Sequence, residues 1–112
     1  MTNATDLTPA AQLSAAGALL GLLSTFGNLP CPDAGLERII DTQGLTARWG
    51  VALIFPKDVS GFEQWREALD IDPATVTGHE YAKSGWLFAL GEFGGAPVKL
   101  IGYYDPPKDT EQ

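Results

Sequence analysis

The sequence holds one cysteine, one histidine and seven basic residues among 112, and each scarcity removes a class of function. With Cys31 alone, no disulfide forms within the chain, which fits folding in a reducing compartment. A structural zinc site of the usual kind needs four Cys or His ligands, more than this chain owns. The basic residues (Arg38, Arg48, Lys57, Arg66, Lys83, Lys99, Lys108) are scattered with no run among them. A sequence-independent grip on nucleic acid needs such residues clustered, so direct nucleic-acid binding is not expected. Long apolar runs are missing too. The best, Leu13 to Phe26, is short for a bilayer and contains Ser14, Ser24 and Thr25. The residues before Thr8 include Asp6 and no Lys or Arg, unlike the basic start of a secretory signal. A cytoplasmic protein without membrane contact is therefore expected. The glycines match neither a P-loop nor a dinucleotide fingerprint. Asp70-Ile71-Asp72-Pro73 lacks the glycine and closing glutamate of a calcium loop. No cofactor and no metal are expected.

What is present describes one folded domain. Apolar residues make up 45% of the chain and aromatic residues 10%, against 19% charged, which is the profile of a chain with a core. A chain of this length buries roughly 65% of its unfolded surface. Fourteen carboxylates against the seven bases give a formal charge of −7, which favours solubility and basic partners.

Residues 1–8 read as a tail, 9–105 as the domain and 106–112 as a second tail. Thr8-Pro9 opens a helix that runs to about residue 26, because Thr caps and Pro suits the first helical position. Leu13, Ala16, Leu20 and Leu23 recur at helical spacing and are expected to face the core, with Leu19, Leu22 and Phe26 widening the stripe. Gly27 is placed for a left-handed helix end, and Leu29 to Asp33 is a proline-stiffened connector. A short strand is expected over Leu36 to Asp41, then a turn at Thr42-Gln43-Gly44. A stronger strand follows over Thr46 to Phe55, with Ala47, Trp49, Val51, Leu53 and Phe55 on one face. Ser60-Gly61-Phe62-Glu63 reads as the capping box of a second helix, whose buried stripe is Phe62, Trp65, Ala68 and Leu69. Asp70 to Pro73 ends it. The remainder is a meander: Thr75 to Tyr81, a turn around Ala82 to Gly85, Trp86 to Phe93, the Gly94-Gly95 hairpin, and a last strand opened by Pro97.

The fold class is therefore α+β in the order α-β-β-α-β-β-β. Hairpins imply a mainly antiparallel sheet, and two apolar helices need one face of it to cover, giving a two-layer sandwich.

Chemistry-bearing residues are few. His79 and Tyr81 share a strand face and mark an alternative pocket, whereas neighbouring Glu80 points the other way. Cys31 becomes a nucleophile only with a base beside it, and His79 is the one candidate. Gly17 and Gly21 are spaced for close helix packing, within the chain or against a second copy. The aromatic residues are more telling. Trp86, Phe88 and Leu90 alternate with Leu87, Ala89 and Phe93, so this strand is apolar on both faces. Tyr103 and Tyr104 point to opposite faces of the last strand. Helices on one side leave the other to be covered by a partner, by a second copy or by a curled sheet.

The leucine-rich Leu19-Leu20-Gly21-Leu22-Leu23, the segment Phe62 to Leu69 and the Trp86 strand resemble small uncharacterised actinobacterial proteins, many of them phage- or mobile-element-borne. That resemblance implies no activity and no catalytic residues. The expected function is a non-catalytic protein–protein interaction module, homodimeric, using Trp86, Phe88 and Tyr103 or Tyr104. The alternatives are a ligand-binding domain or enzyme with a pocket near His79, and an acidic decoy competing with nucleic acid for a DNA-binding protein.

Overall fold

The computed structural model describes residues 7–40, 44, 46–80 and 84–105. Within them the chain forms α1 (Pro9–Thr25), β1 (Asp33–Ile40), β2 (Ala47–Phe55), α2 (Val59–Ala68), β3 (Thr77–Glu80), β4 (Gly85–Phe93) and β5 (Ala96–Tyr104). A single 3₁₀ turn, Pro73–Thr75, precedes β3. The turn expected around Ala82 and most of that at residues 42–44 lie outside the described residues, as does Tyr81.

The five strands form one mixed sheet in the order β1-β2-β5-β4-β3. Hairpin pairing joins β1 to β2, and the meander joins β3, β4 and β5, all antiparallel. The two halves meet where β2 runs parallel to β5, with Val51 opposite Val98 and Leu53 opposite Leu100. Gly94 and Gly95 both adopt positive φ, 59° and 81°, as a two-residue hairpin turn between β4 and β5 requires.

Both helices cover one face of this sheet. Val51, Leu53 and Phe55 of β2 and Val98 and Leu100 of β5 bury their side chains there with Leu22 of α1 and Phe62 and Trp65 of α2. Phe26 stacks edge-on against Trp65 at 5.6 Å, and the Trp65 indole donates to the Pro30 carbonyl at 2.7 Å. That bond ties the proline connector to α2. Gly102 lacks a Cβ where the Phe62 ring presses on β5; an added methyl would sit 3.1 Å from Cδ2.

Three local expectations are corrected. First, α1 turns a different face inward. Ala15, Ala18 and Leu22 are buried, whereas Leu13 and Leu20 are 74% and 69% exposed. The helix is apolar on all sides, so periodicity alone cannot pick its inner face. The sheet supplies the bulk, and alanines let the helix axis approach it. Gly27 is not left-handed; among the described residues, those with positive φ outside glycine are Lys57 and Asp70.

Second, α2 begins before Ser60. Pro56 and the left-handed Lys57 turn the chain so that Asp58 becomes the cap, accepting from Gly61 N at 2.9 Å. Ser60 Oγ instead accepts from Gln64. Glu63 pairs with Arg66 at 3.0 Å rather than reaching back to the cap, and this contact holds the guanidinium above its ordinary pKa. Asp58→Ala is expected to lower stability by about 1 kcal/mol, read as a shift in the urea midpoint at unchanged m-value. Ser60→Ala is the comparison and should cost a few tenths at most, about 0.3 kcal/mol.

Third, β1 starts at Asp33, three residues earlier than Leu36, because its register with β2 already pairs Asp33 with Ile54.

Candidate interaction surface

Strand parity assigns the other sheet face residue by residue. Opposite the helices stand Asp33, Gly35, Glu37 and Ile39 of β1, Arg48, Gly50, Ala52 and Ile54 of β2, Pro97, Lys99, Ile101 and Tyr103 of β5, and Trp86, Phe88, Leu90 and Glu92 of β4. None of the described helices packs on this side.

Its aromatic half follows from register. His79, Trp86 and Tyr103 lie directly across from one another on β3, β4 and β5. The His79 ring tilts over Trp86 with centroids 4.9 Å apart. The next row places Thr77, Phe88, Ile101 and Ile54 side by side. Trp86, Phe88, Ile101 and Ile54 are half-buried by one another, and Tyr103 is 43% exposed. This is a contiguous apolar surface on three central strands.

The other half closes over itself. Gly50 and Ala52 are small, so Ile39 and Pro97 fold over β2, and a Cβ at Gly50 would lie 2.7 Å from both. Lys99 on β5 reaches across the same small residues to form an ion pair with Glu37 on β1. Partial burial pulls the Lys99 ammonium below the ordinary lysine value, while the Glu37 carboxylate neutralises its charge. The face is thus apolar with its central charges already paired.

Of the two candidate tyrosines, Tyr103 belongs to this face and Tyr104 does not. The Tyr104 ring lies on the helix side, filling the space a side chain at Gly85 would need. Its hydroxyl donates to Glu80 at 3.4 Å, and partial burial together with Glu80 raises the phenol pKa.

His79 is exposed on the outer face, away from the helices, and Tyr81 lies outside the described residues. Cys31 is exposed in the connector before β1, its thiol donating to the Pro32 carbonyl at 3.6 Å. β1 and β3 are opposite edges of the sheet, about 19 Å apart at the usual strand spacing, so Cys31 and His79 do not meet. Among the described residues no three His, Cys, Asp or Glu side chains gather as a metal site. No helix of the described chain is long and apolar enough to cross a membrane.

Two concavities border the sheet, one on its helix side and one on the outer face itself. A cleft of about 280 Å³ separates the start of α1 from the β4–β5 turn, bordered by Ser14, Arg48, Trp49 and Gly95. Arg48 spans its rim by donating to the Gly95 carbonyl at 2.6 Å. A second, about 300 Å³, lies beside Ile39, Leu90 and Pro97. Carboxylates serve local bonds on separate elements: Asp58 and Asp72 cap helical turns, Glu63 holds Arg66, and Asp105 pairs with Lys57 at 3.5 Å.

Sequence reasoning found the aromatic residues but missed Ile54, Ile101 and the Lys99–Glu37 pair. One signal was available for the last: a lysine set between Val98 and Leu100 in an otherwise apolar strand. Compared with known protein families, curated proteins and solved structures, the chain matches none.

Proposed function

We propose that this protein is a non-catalytic interaction module that pairs with a second copy through the outer sheet face, with Trp86, Phe88 and Tyr103 at the contact. The observation that carries the reading is a contiguous apolar sheet face, uncovered by the described helices, whose central lysine and glutamate neutralise each other. An antiparallel or mixed sheet facing water normally alternates polar residues outward; here the outward positions of β4 and β5 are Trp86, Phe88, Leu90, Pro97, Ile101 and Tyr103, with Lys99 and Glu92 the charged exceptions. A chain of net charge −7 meets itself most easily where local charge is balanced, and this face is such a place. Two such faces stack as in a β-sandwich, about 10 Å apart, with one two-fold axis relating the same residues on both copies.

Phe88→Glu places a carboxylate at the centre of that contact. Light scattering on a sizing column at low micromolar protein should show the dimer mass for the wild type and the monomer mass for Phe88→Glu. Tyr104→Phe, which alters the helix side only, should remain dimeric. A wild type that elutes as a monomer with Trp86 fully accessible to an aqueous quencher would sink the proposal.

A further inference from the structure

The helix α1 presents a second apolar seam that the monomer leaves uncovered. Leu13, Ala16, Leu20 and Leu23 follow one another at intervals of three, four and three residues, the heptad spacing of helix pairing. Leu13 is 74% exposed, Leu20 69% and Leu23 44%, on the side of α1 turned away from the sheet.

Two glycines separate the inner and outer demands on this helix. Glycine lowers helix stability more than any residue except proline, so each calls for a packing reason. Gly21 has one inside the chain: a methyl there would sit 3.0 Å from the Phe93 ring. Gly17 has none, since an added Cβ would meet nothing within 4 Å. It is exposed beside Ala16 in the middle of the leucine seam. An exposed glycine there leaves room for another backbone to approach closely from outside.

Charge narrows what approaches. The segment Pro9–Thr25 has no ionisable side chain in a chain of net charge −7. A helix lying on a membrane surface carries Lys or Arg on its polar face to meet anionic lipid, and α1 has neither. An acidic or basic partner finds no counter-charge. A second α1 fits, because the seam complements itself. Laid antiparallel about the Ala16–Gly17 midpoint, Leu13 of one copy faces Leu20 of the other, and Ala16 faces Gly17 where the helices come closest.

We propose that the outer face of α1 is a self-association surface, pairing antiparallel with α1 of a second copy and crossing at Ala16–Gly17. This helix contact is independent of the sheet contact. With both, each protomer carries two different two-fold contacts on opposite sides, so dimers join into an open row whose length grows with concentration. A single helix pair is a small interface, so this step is the weaker one.

Sedimentation velocity over a concentration series tests it with four proteins. Wild type should exceed the dimer mass as concentration rises. The exposed double variant Leu13→Lys/Leu20→Lys should stop at the dimer, its helix contact weakened roughly thirtyfold or more. Phe88→Glu should reach a dimer only at high concentration, through α1, and the combination of all three changes should stay monomeric. Gly17→Cys in a Cys31→Ser background should give a covalent dimer under mild oxidation. A double-lysine variant that associates like wild type, or a Gly17→Cys variant that associates yet fails to cross-link, overturns the proposal. If instead only the sheet reading fails, wild type stops at a dimer, Phe88→Glu matches it, and the double-lysine variant is monomeric.

Discussion

Trp65→Ala is expected to lower the free energy of unfolding by about 3–5 kcal/mol, measured by urea titration of circular dichroism. Trp65 is only 1% exposed and joins three parts of the chain. Its ring meets Phe26 at the end of α1, its indole N–H binds the Pro30 carbonyl in the connector, and its own helix lies over β2 and β5. Truncation removes a large apolar surface, leaves a cavity the neighbours cannot fully close, and strips the Pro30 carbonyl of its donor. A domain of this size has about 5–15 kcal/mol in total, so the variant should be partly unfolded at ambient temperature. Trp65→Phe separates the contributions: most of the packing stays and one hydrogen bond is lost, for a cost of about 1–2 kcal/mol. A loss below about 1 kcal/mol for the alanine variant would show that the core is not centred on this residue.

Gly50→Val should be comparably damaging from the opposite side of the sheet. A Cβ at Gly50 would overlap the Pro97 carbonyl oxygen and crowd Ile39 Cδ1 and Pro97 Cγ at 2.7 Å. Side-chain ends yield to such pressure, but a backbone carbonyl at the start of the β2–β5 pairing does not. The expected result is separation of the two half-sheets at Val51–Val98, at a cost of about 3 kcal/mol or more or loss of soluble protein altogether. Gly35→Ala is the matched control. It stands on the same face, opposite Ala52, with nothing within 4 Å of the added methyl, and should change stability by less than about 0.5 kcal/mol. Equal melting curves for Gly50→Val and Gly35→Ala would rule out the close approach of β2 and β5.

Much of the fold is legible in local signals, and the reason is local chemistry. Thr8-Pro9 starts α1 where cap geometry says it should, and Gly94-Gly95 makes the tight turn between β4 and β5. The α-β-β-α-β-β-β order follows from such punctuation. Features set by distant neighbours are not legible. The inner face of α1 is decided by the apolar face of β2 packed against it, and the helix pattern contains no record of that. Asp58 took the cap from Ser60 because Lys57 is left-handed, a backbone choice that composition does not announce. The parallel joint of β2 with β5 pairs residues whose sequence neighbourhoods say nothing of each other. On the outer face, alternation in β4 gave Trp86 and Phe88, and the register of β4 with β5 then put Tyr103, not Tyr104, beside them. Lys99 and Glu37 meet only because Gly50 and Ala52 leave room between their strands.

The parallel joint also orders events during synthesis. As the chain leaves the ribosome, the β1–β2 hairpin can form early, yet the strand that belongs beside β2 is the last of the five to be made. Until β5 arrives, β2 offers a bare row of amides and carbonyls in a segment, Val51 to Phe55, with no charged residue and no proline. Val51 must wait for Val98, 47 positions later, so the interval of greatest risk for mispairing is the translation time of the intervening stretch.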